Sequence, residues 1–318
     1  MARDWAKASA YIAALLRRRG ADELRRALEP NHATPPRELP SHPTATPELV
    51  EQRWALLDAP EDVRAVLADA ASLEGMAAFD HHIENLVGTV KVPLAVAGPL
   101  RVNGLFAQGD FYVPVATTEA ALVAGLTRGA SVITEAGGCA AMVLSEGVSR
   151  APGFVFRNLR EVGEFVAWAV TQERSFAEVA ATTTDHGALE STSVTVEGNH
   201  VYLTFEFRTG DAAGQNMVTF ATAAICEYIR EHTPVPPRAI YVEANLSGDK
   251  KASAQSFMSV RGRKVTAEVL IPEAVVKRRL HTTPERIADL WRVSAIGGVL
   301  SGTIGFQAHV ANALTAVY

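Results

Sequence analysis

Apolar residues recur at helical spacing over residues 4–28, stop across a proline-rich stretch at 30–47, and resume behind Pro60. The acidic pair Glu61 and Asp62 directly after that proline predicts a helix start. The first quarter therefore reads as a small helical region with an extended linker. Alternation of period two then predicts a strand over residues 90–100, ending in a turn at Gly98-Pro99, and a second over 106–115 that leads into a helix carrying Glu119. Further on, the pattern predicts a helix at 158–172, strands at 191–196 and 200–208, a helix at 212–231 and a strand at 238–241. The remainder reads as an irregular stretch at 242–251, a strand at 264–271, a helix at 284–292 and a Gly-rich helix at 294–318.

This order predicts an α+β fold, a large mixed helical and sheet domain interrupted by a smaller αβ unit. The expected boundaries are residues 1–75 for the N-terminal helical region and linker, 76–150 for the first part of the large domain, 151–241 for the insert and 242–318 for the second part. The segment 294–318 carries no formal charge with His309 neutral and is long enough to span a bilayer, but it contains Gly297, Gly298, Gly302, Gly305, Gln307, His309 and Asn312. Polar groups are costly in hydrocarbon, so a buried, closely packed helix is expected there and no membrane span.

At 318 residues and 48% hydrophobic content the chain can bury a substantial core. A formal charge of -5 and a pI near 6.0 offer no general attraction to nucleic acid or anionic lipid. Cys139 and Cys226 form no C-x-x-C motif, and the nine histidines form no H-E-x-x-H pattern, which predicts a metal-free protein of a reducing cytoplasm. Residues 1–19 carry scattered charges and do not read as a signal peptide.

The candidate chemistry lies in a few clustered groups. Lys250 and Lys251 stand together behind Asp249 in a chain with only six lysines. Glu119 follows Val115-Ala116-Thr117-Thr118 at a strand-to-helix junction, and Arg150 ends a Gly-Ala-Val-rich stretch. An acid to protonate an alkoxide, a cation to stabilise it and an arginine to hold a carboxylate are what reduction of a carbonyl on an anionic substrate requires. Singly, each has an ordinary explanation. A Glu in a first helical turn balances the helix dipole, a Lys pair is a solvated patch, Arg150 serves a structural ion pair and His309 is a satisfied core histidine.

Taken jointly, the segments at 84–100, 115–119, 145–150, 210–217, 249–251 and 302–312 resemble, in order and spacing, 3-hydroxy-3-methylglutaryl-CoA reductases of the class that bears the Asp-Lys-Lys motif. The resemblance runs from about residue 80 to the end. It implies reduction of 3-hydroxy-3-methylglutaryl-CoA to mevalonate and CoA with two hydrides from NADH or NADPH, or the reverse reaction. Glu119 would be the proton donor and Lys250 the cation at the oxyanion. Arg150, Asp249, Lys251, His309 and Asn312 would hold the hydroxyglutaryl end, and Arg128 and, more weakly, Arg292 the CoA phosphates. The insert would be a ferredoxin-like dinucleotide-binding domain, and the segment at 84–88 resembles a dimerisation element, which implies a homodimer with its site between subunits.

No strand is followed by G-x-G-x-x-G; instead Gly210-Asp211-Ala212-Ala213-Gly214-Gln215-Asn216-Met217 opens a helix whose small residues and free N–H groups suit a dinucleotide phosphate, though an ordinary Asp-capped helix has the same look. By the resemblance, Asp211, Gly214, Asn216 and Met217 contact the cofactor. Asp185, next to His186, stands where the family usually has an arginine for a 2′-phosphate. An aspartate accepts from a free ribose hydroxyl and repels phosphate, so NADH is expected over NADPH. Glu243 stands where the family usually has a substrate-binding serine. A carboxylate there would either hydrogen-bond the substrate hydroxyl or alter the electrostatics of the lysine pair. The family also continues beyond the Gly-rich helix to a catalytic aspartate and histidine. The expectation is therefore a partial chain with little activity alone, the other reading being a non-catalytic acyl-CoA and dinucleotide binder or partner subunit.

Overall fold

A computed structural model describes residues 2–30, 32, 35, 38–251, 253–258, 262–305 and 310–317. The chain divides into two compact units, residues 1–91 and 92–318.

In the first unit, α1 (Ala2–Arg19) and α2 (Ala21–Ala27) part at Gly20, whose φ of 69° glycine adopts without steric cost. Helix α3 (Pro47–Trp54) starts at Thr46, whose hydroxyl accepts from the Leu49 N–H at 3.3 Å. Then come α4 (Glu61–Leu67), α5 (Ala70–Glu74) and a 3₁₀ turn at Met76–Phe79. Val50, Trp54, Met76 and Leu86 form a small core. Within it the buried Arg53 guanidinium donates to the carbonyls of Pro40 at 3.0 Å and Leu86 at 2.9 Å, while the Trp54 indole donates to that of Val87 at 2.7 Å. These bonds satisfy buried donors and pin the 84–88 segment to the helices.

The second unit begins with β1 (Leu94–Gly104), β2 (Gln108–Ala116), α6 (Leu122–Glu135), β3 (Cys139–Arg150) and β4 (Gly153–Val155). It continues with α7 (Leu159–Ala169), α8 (Glu173–Ala181), β5 (Ala188–Glu197), β6 (His200–Arg208), α9 (Gln215–His232) and β7 (Ala239–Tyr241). Then follow α10 (Gln255–Met258), β8 (Gly262–Glu268), α11 (Glu273–Val275), a π turn at Val276–Leu280, α12 (Pro284–Ser301) and α13 (Val310–Ala316). The described strands form one eight-stranded mixed sheet in the order β2-β1-β3-β6-β4-β7, with β5 also on β6 and β8 on β3. Every pairing is antiparallel except that of β1 with β3.

Strand β3 joins the two halves of this sheet. Its start pairs with β1 and β8, while Val148, Ser149 and Arg150 at its end pair with β6. The latter half carries the main core. Val201, Leu203, Phe205 and Phe207 on one face of β6 meet Phe165 of α7, Phe176 of α8 and Ile225 of α9. Phe156 and Phe165 lie 4.8 Å apart and Phe176 and Phe205 5.7 Å apart, centroid to centroid, within the tilted and edge-to-face range.

Three sequence expectations change. Gly98-Pro99 does not end β1. The strand continues through a cis peptide and a register slip between Ala97 and Leu100, because a bulge accommodates a residue that has no N–H to donate. A Cβ at Gly98 would lie 2.8 Å from the Phe111 carbonyl, so only glycine fits the bulge. Helix α8 and strand β3 have no counterpart in the predicted pattern. The Gly-rich helix expected at 294–318 is instead the end of α12, which runs through Gly297-Gly298 to Gly302, whose φ of 75° terminates it, and α13 follows separately. Nor is it buried: no residue of α12 is, with Trp291 59% and Leu300 83% exposed. Its apolar residues lie all round the helix, so no single contact face could cover them. Among the described residues, no helix is long and apolar enough to cross a membrane.

Candidate functional site

Glu119 lies in the loop between β2 and α6, three residues before the helix, and not in a first helical turn as its sequence context suggests. The Thr117 hydroxyl accepts from the Glu119 N–H at 2.9 Å, and Ala121 takes a left-handed φ of 66°, so the chain turns sharply before α6 starts. This leaves the carboxylate exposed, where it accepts a 2.7 Å hydrogen bond from the Asn312 side-chain amide, 193 residues away. Helix α13 presents Asn312; its Ala316 is buried against Val115 and Leu122, and Val317 pairs with Val115. His309 lies outside the described residues.

Arg150 is 7% exposed and Asp249 5%. One guanidinium nitrogen donates to Asp249 at 2.8 Å and to Glu243 at 3.4 Å, Nε to the Thr219 hydroxyl at 3.2 Å, and the other nitrogen to the Gln215 carbonyl at 3.2 Å. Glu243 in turn accepts from the Asn245 N–H at 2.8 Å, the Ala151 N–H at 3.4 Å and the Ser247 hydroxyl, 3.1 Å from each oxygen. The end of β3, the start of α9 and the 243–249 turn thus meet on one buried cation. Thr219 and Ser247 escaped the sequence reading. Thr219 stands one helical turn beyond Gln215, whose carbonyl its hydroxyl reaches at 2.7 Å, and that spacing was the available signal.

Asn245, Gly248 and Lys250 take φ values of 67°, 68° and 57°. A turn this tight buries Ser247 and Asp249 and leaves Lys250 and Lys251 exposed. Lys250 is therefore not a buried cation; at an exposed site its field is screened by solvent until a ligand covers it. The Lys251 ammonium donates to the Asp249 carbonyl at 3.1 Å.

Asp185, His186, Gly187, Arg208 and Gly210 line a cleft of about 290 Å³, and Gly210 and Asp211 also line a second of about 350 Å³ with Glu146, Thr209 and Arg263. Arg263 pairs with Glu146 at 2.8 Å and Asp211 at 3.6 Å, and Arg208 with Glu190 at 3.0 Å. Neither arginine was expected here: Arg208 ends a strand pattern that explains it without a ligand, and Arg263 stands just before the strand expected at 264–271. Helix α9 begins at Gln215 and is capped by Gly214 at φ 72°, not by Asp211. Asn216 and Met217 occupy its first turn, and the Met217 sulfur lies 2.5 Å from where a Cβ on Gly187 would sit. Space above Gly210 is open, so a ligand can approach its backbone. Arg128 is exposed on α6, and Arg292 is exposed on α12 beside Asp289. Among the described residues no group of three or more His, Cys, Asp or Glu could hold a metal ion.

Glu206 sits on the sheet face opposite the aromatic core, between Ser149 of β3 and Ser191 of β5. Burial pushes its carboxyl up to about 7.

A family model described as hydroxymethylglutaryl-coenzyme A reductase matches residues 49–318. The 3-hydroxy-3-methylglutaryl-coenzyme A reductase of Haloferax volcanii is 43% identical over 76% of this chain and 60% of its own length. That of Pyrococcus abyssi is 42% identical over 74% and 58%, and that of Methanocaldococcus jannaschii 37% identical over 78% and 62%. The chain thus spans about 60% of the length of the curated relatives it matches. In fold it is similar to the class II 3-hydroxy-3-methylglutaryl-CoA reductase from Streptococcus pneumoniae bound to NADPH in open conformations, with a TM-score of 0.54 at 19% identity over 86% of this chain and 68% of that one.

Proposed function

Because the chain belongs to the hydroxymethylglutaryl-coenzyme A reductase family, we propose that it takes part in the NAD(P)H-dependent interconversion of 3-hydroxy-3-methylglutaryl-CoA and mevalonate. The observation that carries this reading is the Asn312–Glu119 hydrogen bond, which joins two of the candidate site residues across 193 positions of sequence.

Reduction of the thioester adds hydride to the carbonyl carbon and leaves negative charge on its oxygen. In this reading Lys250 stabilises that oxyanion, and its exposure lets substrate bring the carbonyl to it. Glu119 supplies the proton, with Asn312 fixing the carboxyl's orientation. Collapse of the oxyanion breaks the C–S bond and coenzyme A leaves as a thiolate, which takes its proton from solvent; the aldehyde accepts the second hydride, and the alkoxide so formed is the oxygen that takes the Glu119 proton. Asp249 and Lys251 frame the hydroxyacyl end, His309 joins them, and Arg128 and Arg292 serve the CoA phosphates.

The insert has strands β5-β6-β4-β7 in that spatial order, with helices following the first and third strands in sequence; we read it as a ferredoxin-like dinucleotide-binding domain. A bound nicotinamide supplies the hydride. The clefts meeting at Gly210 fit such a ligand, with Asp185, His186 and Asp211 on their walls and open space above the Gly210 backbone. Asp185 points to NADH, and Arg208 does not reverse this, since Glu190 already neutralises it. We further read the chain as a subunit of a cytoplasmic homodimer.

The test is an assay with 3-hydroxy-3-methylglutaryl-CoA and each dinucleotide, comparing the chain with Lys250→Ala. Loss of at least about a hundredfold in kcat with coenzyme A binding retained is expected from removal of an oxyanion-stabilising charge. Equal and measurable turnover in the two proteins would remove Lys250 from the mechanism, and a higher kcat/KM with NADPH would remove the role of Asp185.

A further inference from the structure

We propose that Glu190 is a specificity-determining residue for the dinucleotide: by occupying Arg208 it withholds the arginine of the Asp185 cleft from a 2′-phosphate, so that the chain selects a dinucleotide whose ribose 2′-hydroxyl is free. The inference rests on the dinucleotide reading above and traces its selectivity to a second carboxylate besides Asp185.

Strand register explains where Glu190 points. Ala188 opposes Arg208 and Leu189 opposes Phe207 across β5 and β6, yet the next opposed pair is Ser191 with Glu206. Glu190 is therefore the extra residue of a β-bulge, a device that re-aims a side chain. In an unbroken ladder it would face Glu206 directly, and two carboxyl groups so placed resist ionising together. The bulge sets a serine opposite Glu206 and directs Glu190 to Arg208, whose Nε lies 3.0 Å from its carboxylate.

Arg208 thus stands against two carboxylates, Asp185 on the cleft wall and Glu190 at its side, with His186 counted as neutral at pH 7. The adjoining cleft repeats the imbalance, with Arg263 against Glu146 at 2.8 Å and Asp211 at 3.6 Å. A dinucleotide's diphosphate can still be held at the start of α9, where backbone N–H groups serve without a cation. A 2′-phosphate brings close to two further negative charges and calls for a guanidinium that is not already engaged. The side chains of Arg208 and Glu190 are 61% and 50% exposed, so their pair adds little to stability. Its effect is on selectivity. Paired residues on both sides fix the Glu190 backbone, so a carboxylate pushed off Arg208 by phosphate stays close by as a like charge. A free 2′-hydroxyl is neutral and donates to a carboxylate, so it meets no such opposition.

The experiment measures Kd for NADH and for NADPH by titration calorimetry on the chain itself, E190A, E190Q and E190A/R208Q. The ratio of Kd for NADPH to Kd for NADH is expected to fall at least about fivefold in E190A, as Arg208 gains a charge-assisted bond to the phosphate. Glutamine keeps an acceptor for Arg208 without the charge, so E190Q should lower the ratio by less. In E190A/R208Q the ratio should rise again to at least that of the unaltered chain. An unchanged ratio in E190A overturns the proposal, as does a fall that persists in E190A/R208Q, since the effect would then not run through Arg208. Tighter binding of NADPH than of NADH by the unaltered chain overturns it as well. Failure of every folded protein to bind either dinucleotide would instead bring down the dinucleotide reading, and this inference with it.

Discussion

The part of the sheet built on β4, β5 and β6, and the helix α12, treat apolar residues in opposite ways. In the first, Phe154, Phe156, Phe165, Phe176 and Phe205 are all fully buried and are joined, through the half-buried Trp168, in a continuous chain of tilted and edge-to-face ring contacts. In the second, none of the eighteen residues is fully buried, although Trp291, Val293, Ile296 and Leu300 are as apolar as anything in the core. Hydrophobicity alone therefore does not locate the stabilising residues. What differs is direction: α7, α8 and α9 each carry one apolar stripe against one sheet face, whereas α12 spreads its apolar residues around the axis.

The comparison breaks most readily at Phe165, which contacts rings on both sides. Phe165→Ala is expected to destabilise the chain by about 3–5 kcal/mol, the usual cost of deleting a buried aromatic, in urea unfolding. A loss below about 1 kcal/mol would mean that the aromatic core contributes little. A subtler test lies on the other face of the same sheet. Glu206 has an ordinary value near 4.5 when unfolded and about 7 when folded, so the folded state prefers the neutral acid. Its stabilising contribution is complete below pH 4.5 and is lost as pH rises through 7, and E206Q should flatten the unfolding free energy across that window. An unaltered pH profile in E206Q would show that the carboxylate stays solvated. The smallest effect is expected on α12, where Leu300→Ala should change unfolding free energy by no more than about 0.5 kcal/mol. A larger loss would place Leu300 in a contact that the chain makes in solution.

What could be read in advance follows the same division. Strands β5 and β6 and helices α7 and α9 were legible because each has one face more apolar and more buried than the other, giving periods near two and 3.6. Strand β3 was not, because its residues serve three partner strands in turn and no single period survives along Cys139–Arg150. Helix α8 is short, and its core contacts reduce to Phe176 and Ala180. In the site, Glu119, Arg150, Asp249 and Asn312 stood out by joint spacing. Their pairings did not, since the contact of Asn312 with Glu119 and that of Arg150 with Glu243 are set by tertiary closure and leave no local trace.

Strand β3 also bears on the order of assembly. Its hairpin-like neighbours form from nearby residues: β5 meets β6 across a two-residue turn, and β1 meets β2 across a short loop. Its pairing with β8, by contrast, brings Glu146 to Arg263 across 117 residues, so the chain between them must be looped out before those two strands can meet. Closing so long a loop is entropically disfavoured until the intervening chain has condensed, and contacts of large sequence separation slow folding. Collapse of the aromatic core that lies between them in sequence shortens this loop, so the pairing of β3 with β8 is expected to form late in assembly.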